Sequence, residues 1–173
     1  MSSQPIMGRA RVFGDDINTD YIISSRRKRD SLDPDVLKQY LFESIDPGFA
    51  ATVRTGDLLV AGRNFGCGSA MEVAATVVAG AGIRAVLAKS FSRTYYRNAI
   101  NNGLLPVICD TSGIEEGDAL SISLGTAFGV HNETSGTELA AEPLSEAVRT
   151  IVLAGGLVPF FRDHGGFPSA TTG

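Results

Sequence analysis

A chain of 173 residues with 43% hydrophobic and 20% charged residues has a globular composition, and it is long enough to bury roughly two-thirds of its unfolded surface. The net charge of -4 argues against a nucleic-acid surface, no apolar run reaches the length of a membrane span, and MSSQPIMGRA lacks the apolar core of a signal peptide, so a cytoplasmic protein is expected. Cys67 and Cys109 offer no metal-ligand spacing and, in that compartment, little reason to form a disulfide.

Arg9 to Phe13 reads as a first strand, followed by the turn cluster Gly14-Asp15-Asp16 and the short apolar piece INTDYII. The basic stretch Arg26, Arg27, Lys28 and Arg29 comes next. It is either a solvated loop or a grip for a carboxylate, since guanidinium groups bond carboxylates in a bidentate fork, and with little to bury it is expected to be mobile. Asp33-Pro34 supplies an N-cap and a proline at the first helical position, with Val36, Leu37, Tyr40 and Leu41 as the apolar stripe of a short helix. Pro47 and Gly48 end it. Phe49 to Val53 then leads through Thr55-Gly56-Asp57 into Leu58 to Ala61, an apolar run that reads as a buried strand.

The stretch Gly62 to Glu72, GRNFGCGSAME, organises the rest. Gly62, Gly66 and Gly68 punctuate a loop that can take unusual backbone angles, and Ser69 and Glu72 stand at the spacing of a capping box, which predicts a helix from Ser69. Ser69 then has two readings. It caps the helix, contributing about 1 kcal/mol, or the free amides and dipole at the helix mouth hold an anion, either a bound carboxylate or the alkoxide of Ser69 itself. As a phosphate cradle the stretch is weak, matching neither G-x-x-x-x-G-K-S/T nor G-x-G-x-x-G.

Gly80 and Gly82 stop that helix, and Arg84 to Ala88 reads as a strand parallel to the preceding one, completing a right-handed crossover. Ser92 caps a second helix ending at Gly103. On it Arg93 and Arg97 share one face, as do Asn98 and Asn102, forming either a polar outer surface or the floor of a site. Leu104 to Ile108 is a third strand. From Ile114 the pieces ALSISL, TAFGV and TELAA, with the turn HNETSG, alternate as antiparallel strands do. Ser145 opens a last helix through Leu153, Gly155-Gly156 separates it from LVPFFRDHG, and FPSATTG reads as frayed. His131, in a turn, and His164 read as surface residues. The expected product is one α/β domain over residues 1–173, with an ordered core over about 8–164 and a mixed sheet of parallel crossover units plus short antiparallel strands.

Three ordered stretches, GDDINTDYII, GRNFGCGS with its following helix, and FSRTYYRNAINNGLLPV, resemble the aconitase superfamily, and within it the small-subunit family of 3-isopropylmalate dehydratases. The resemblance covers most of residues 8 to 163. It implies a three-layer β/β/α swivelling domain that works only with a large subunit whose cysteines carry a 4Fe-4S cluster, this chain binding no metal or cofactor itself. The cluster would act as a Lewis acid on the hydroxyl of a small 2-hydroxy di- or tricarboxylic acid, while a serine aligned with Ser69 removes the proton from the adjacent carbon. Gly68, Ala70, Met71 and Asn64 would line the substrate. The implied reaction is the isomerisation of 2-isopropylmalate to 3-isopropylmalate in leucine biosynthesis, the partner being the large subunit, with self-association open when that partner is absent.

One departure bears on the substrate. Where the family reads G-S-S-R-E, this chain reads Gly68-Ser69-Ala70-Met71-Glu72. A thioether cannot replace an arginine fork, so another cation supplies the grip, the substrate differs, or the site is impaired. The family's substrate loop corresponds to Ser24 through Ser31, SSRRKRDS, which is polar where an isopropyl group asks for an apolar wall. Arg26, Arg27 and Arg29 thereby become candidate carboxylate ligands, as a homoaconitase substrate would need. The alternatives are a homoaconitase or 2,3-dimethylmalate dehydratase small subunit and, from another class, a non-catalytic swivel-fold binding or assembly protein.

Overall fold

Strand β1 (Ile6–Val12) is the spine of the computed structural model, which describes residues 4–166. On one side it pairs in parallel with β2 (Leu58–Val60), which is followed by β3 (Ala85–Ala88) and β4 (Leu105–Ile108), all parallel. On the other side it pairs antiparallel with β5 (Ala119–Leu124), then β6 (Phe128–Asn132) and β7 (Thr137–Leu139). The order is β4-β3-β2-β1-β5-β6-β7, half parallel and half antiparallel.

The burial pattern explains the layers. β2 and β3 are buried at every position, as strands covered on both faces must be, whereas β5 buries Leu120, Ile122 and Leu124 and turns Ala119, Ser121 and Ser123 the other way. Leu59, Val86 and Ala88 pack on the helices in a cluster with Ile22, Leu37, Val77, Tyr95 and Leu104. Leu58, Val60, Ala85 and Leu87 point the opposite way and meet Leu120, Ile122, Leu124 and Val130. The antiparallel half therefore curls over the face of the parallel half that the helices leave open, giving the expected β/β/α layering.

Helices α1 (Thr19–Ile22), α2 (Ser25–Asp30), α3 (Pro34–Leu37) and α4 (Phe49–Thr52) lie between β1 and β2. Helix α5 (Val73–Gly80) joins β2 to β3, and α6 (Arg93–Asn101) joins β3 to β4. The chain closes with α7 (Glu146–Leu153) and α8 (Leu157–His164). The expected caps at Asp33, Ser92 and Ser145 form: their side chains accept the amides of Asp35, Tyr95 and Val148. Among the described residues no helix is long and apolar enough to cross a membrane.

Two expectations are corrected, and two stretches given no secondary structure acquire one. INTDYII, read only as a short apolar piece, holds a helix: the Asn18 side chain accepts the Tyr21 amide at 2.9 Å and starts α1. Ser24 to Ser31 is not an open loop: Ser24 caps α2 through the Arg27 amide, and the Arg27 side chain ties that helix down. Phe49 to Thr52 makes a helical turn whose Phe49 is buried between Phe13 and Phe42. His131 sits within β6 rather than in a turn, its Nδ1 2.7 Å from Glu138 across the β6–β7 pair and its Nε2 3.5 Å from Glu133. The segment FPSATTG, expected to fray, lies outside the described residues.

Candidate active-site loop

The residues after β2 form a loop held between two others at the carboxyl ends of the parallel strands. On one side the Gly66 amide donates to the Ile17 carbonyl at 2.7 Å, and the Thr19 amide donates to the Cys67 carbonyl at 2.8 Å. On the other side the Phe65 amide donates to the Ser90 carbonyl at 3.0 Å, and the Ser92 hydroxyl to the Gly66 carbonyl at 2.8 Å. Strand order alone brings these segments together, since β1 and β3 flank β2. The loop thus extends the β1-β2-β3 ladder past its end.

Two of its glycines are required by geometry. Gly66 has φ +79°, and a Cβ there would lie 2.2 Å from the Tyr95 ring; Gly68 has φ +95° beside Asn18 and Thr19. Tyr95 is a fixed wall. It is buried, its hydroxyl donates to the Ala74 carbonyl at 3.0 Å, and its ring meets Phe65 edge-on at 5.1 Å. Burial pushes its phenol pKa far up, so the hydroxyl remains a donor.

The predicted capping box does not form. Helix α5 begins at Val73, its N-cap position is Glu72 with no side-chain bond, and Ser69 lies about one turn earlier, at a bend of the loop. The Met71 amide donates to the Ser69 backbone carbonyl at 2.9 Å, not to its hydroxyl. Instead the Ser69 Oγ lies 3.2 Å from Thr19 Oγ1, which also donates to the Ser69 carbonyl at 3.1 Å. Ser69 itself is exposed, so its oxygen is held from below and open above. The helix-mouth amides expected to meet it belong to residues farther along the chain.

Gly68 and Ala70, exposed, flank Ser69 as the sequence requires, but the other expected substrate residues divide. Met71 turns inward and packs on the helix-side core. Asn64, at φ +60°, directs its side-chain amide to Asp16 at 3.0 Å and its backbone amide to the Ser90 hydroxyl at 2.8 Å, so its contacts are within the loop base. Arg27 is engaged twice, by Glu43 through two bonds of 2.9 and 3.1 Å and by the Tyr40 ring 3.8 Å from its guanidinium carbon. That contact lowers the Glu43 pKa, first through the hydrogen bond and then through charge. Arg26 and Arg29 remain exposed, while Lys28 is buried with no hydrogen-bond partner for its Nζ among the described residues.

Sequence reasoning left two contributors without a role. Thr19 was visible only as part of the TD pair, and its contact with Ser69 spans 50 positions. Asp20 holds α1 to α2 by accepting the Ser25 amide at 2.8 Å, and its pKa is lowered first by the Ser25 side-chain bond, then by the Ser25 amide, with Lys28 adding charge. Arg93 and Arg97 are exposed, and the Asn102 side chain donates to Glu72 at 3.2 Å and to the Asn98 carbonyl at 2.8 Å, a brace between α6 and the start of α5. Cys67 is half-buried and Cys109 buried; burial raises both thiol pKa values, that of Cys109 to about 11, with Asp16 and Asp110 respectively adding to the shift. Among the described residues no group of three or more His, Cys, Asp or Glu converges to hold a metal ion, so an iron–sulfur cluster does not fit this chain's own side chains.

Residues 35–112 match the aconitase C-terminal domain. A mixed seven-stranded sheet with this loop at its parallel ends is an α/β domain of the aconitase swivel type. The chain is 44% identical over 160 residues to 3-isopropylmalate dehydratase small subunit 2 of Archaeoglobus fulgidus, covering 92% of this chain and 96% of that protein. It is 43% identical over 157 residues to the homoaconitase small subunit of Methanocaldococcus jannaschii, covering 91% of each. The crystal structure of a 3-isopropylmalate dehydratase from Methanocaldococcus jannaschii superposes with a TM-score of 0.88 at 41% identity, over 93% of this chain and 95% of that one. The chain belongs to the 3-isopropylmalate dehydratase small-subunit family of the aconitase superfamily.

Proposed function

We propose that this chain is the small subunit of a cytoplasmic hydro-lyase that isomerises 2-isopropylmalate to 3-isopropylmalate by dehydration and rehydration, with Ser69 as the base. The observation that carries the reading is Ser69 itself: an exposed hydroxyl fixed from beneath by a buried threonine, on a loop locked at both sides by backbone bonds. The ionised Ser69 oxygen takes a proton from the carbon next to the one bearing the hydroxyl. That C–H electron pair forms the double bond as hydroxide leaves; in rehydration Ser69 returns the proton to the carbon that lost the hydroxyl, water adds its hydroxyl to the other carbon, and the water's remaining proton neutralises the hydroxide released earlier. The group that polarises the departing hydroxyl, a 4Fe-4S cluster, belongs on a large subunit, which also completes the substrate pocket.

A homoaconitase-type substrate is the second reading, favoured by α2. Arg26 and Arg29 are exposed on α2, while Lys28 in the same turn is buried. These charges suit an additional carboxylate better than a branched alkyl group. They also answer the inward Met71: the carboxylate grip passes from the serine loop to α2.

The test is co-expression with a candidate large subunit, anaerobic cluster reconstitution, and an absorbance assay for the unsaturated intermediate with isopropylmalate, homocitrate, citrate and dimethylmalate. Isopropylmalate turnover that disappears in Ser69→Ala, with assembly intact, is expected. Homocitrate turnover in its place selects the second reading. Full activity in Ser69→Ala refutes the role of Ser69, and silence on all four substrates in a verified holo-complex makes the chain a binding or assembly protein.

A further inference from the structure

Thr19 is 2% exposed, so its hydroxyl must find partners inside the protein, and both that it finds belong to one residue. Its Oγ1 lies 3.1 Å from the Ser69 carbonyl oxygen and 3.2 Å from Ser69 Oγ. A threonine hydroxyl has a single proton and two lone pairs. With Ser69 neutral, the only arrangement that satisfies both contacts has Thr19 donating to the carbonyl and Ser69 donating to Thr19. With Ser69 ionised, its oxygen has no proton to give and becomes the stronger acceptor, because hydrogen bonds to a charged oxygen are about twice as strong as neutral ones. Rotation of the Thr19 hydroxyl about its Cβ–Oγ bond moves the proton from carbonyl to alkoxide without displacing a heavy atom.

We propose that Thr19 is a positioning residue that switches its one hydroxyl proton between the carbonyl and the side-chain oxygen of Ser69, and so holds Ser69 in the ionised form. The inference rests on the reading of Ser69 as base. Thr19 is well placed for the task, because its own amide donates to the Cys67 carbonyl at 2.8 Å and Asn18 bridges to Cys67, so the threonine backbone cannot move relative to the loop. The Ser69 carbonyl keeps the Met71 amide at 2.9 Å when the threonine proton leaves it, so no buried acceptor is abandoned. The proton that ionises Ser69 goes to solvent before the cycle. The one Ser69 takes from the substrate carbon passes back in rehydration, so Thr19 gives up no proton of its own.

The experiment compares Thr19→Val, Thr19→Ser and Ser69→Ala in the reconstituted complex. Thr19→Val should lower kcat by about 10²-fold with KM little changed, the loss seen for one donor to a developing oxyanion, and should shift the kcat–pH profile to higher pH because the ionised serine has lost a donor. Thr19→Ser should restore kcat to within a few-fold. A Thr19→Val kcat within a few-fold of wild type, beside an inactive Ser69→Ala, overturns the role of Thr19 and leaves that of Ser69 standing; a fully active Ser69→Ala overturns both. A Thr19→Ser as impaired as Thr19→Val also overturns it, since packing and not the hydroxyl would then be the cause. Should Thr19→Val fail to assemble, neutron diffraction on the wild-type chain decides: the threonine deuteron is expected on the line to the Ser69 carbonyl, and a deuteron aimed at neither Ser69 oxygen refutes the switch.

Discussion

Replacing Gly66 by alanine tests whether the loop is positioned by contact with a rigid wall. The new Cβ would lie 2.2 Å from Tyr95 Cγ and 2.3 Å from Tyr95 Cβ, far inside van der Waals contact, at a φ of +79°. The ring cannot yield, being pinned by its bond to Ala74 and by Phe65, so the loop must retreat by about 1 Å or more. The left-handed backbone costs about 1–2 kcal/mol for a residue with a Cβ, and overpacking about 1–3 kcal/mol. Together they predict a loss of about 2–5 kcal/mol, a fall in Tm of about 6–15 °C for a chain of this size. Because Ser69 is three residues farther along, a 1 Å displacement should also lower kcat by about 10²-fold. Thermal unfolding and the dehydration assay measure the two effects, with Gly113→Ala as control, since a Cβ there meets nothing within 4 Å. A Gly66→Ala protein with the Tm and kcat of the control would refute the argument.

Asp57, 3% exposed, joins Arg9 at 2.7 Å and Arg11 at 3.6 Å, and Asp57→Asn should cost about 3 kcal/mol, the low end for a buried pair because Arg9 is 32% exposed. Burial pushes the Asp57 pKa up, but the bonds from Arg9 and the Arg54 amide and the charges of Arg9 and Arg11 outweigh it and leave it below 3.8. A depressed carboxyl pKa stabilises above its unfolded value, so urea titrations should show this advantage whole near neutral pH and lost as pH falls below 3.8. Phe42→Ala empties the site between Phe13, stacked at 4.3 Å, and Phe49, edge-on at 4.9 Å, and should cost about 3–5 kcal/mol by denaturant unfolding. Arg27→Ala should leave Tm nearly unchanged but speed amide exchange across α2, since it removes the contact to Glu43 and Tyr40 that holds this short helix; unchanged exchange would count against that contact.

The parts of the fold written in local chemistry were legible, and the parts written across the chain were not. Asp33, Ser92 and Ser145 cap helices as expected because the amides of Asp35, Tyr95 and Val148 lie two or three residues away. The strands β2, β3 and β4 and the crossovers joining them followed from short apolar runs separated by glycine stops. The curl of β5 to β7 over the sheet has no such signal. Helix α2 was hidden because all but its first residue are charged and it lacks apolar periodicity; Arg27 stabilises it through Glu43, 16 positions away. Met71 could be read as a departure, but its packing on the helix-side core is visible only in the fold.

Ser69 is where the local rule failed, and the failure is informative. Ser69 and Glu72 have capping-box spacing, yet the cap would aim the serine oxygen at the amide of residue 71 or 72. In the folded loop the Met71 amide goes to the Ser69 backbone carbonyl, Thr19 takes the hydroxyl from beneath, and α5 waits until Val73 to begin. A capping serine is tied down by an amide of its own helix, whereas Ser69 is held by Thr19 from another segment and keeps an exposed side. The helix start lies about one turn beyond the position that the capping spacing predicts. If Ser69 is the base proposed above, this local conflict is the kind expected at a functional site.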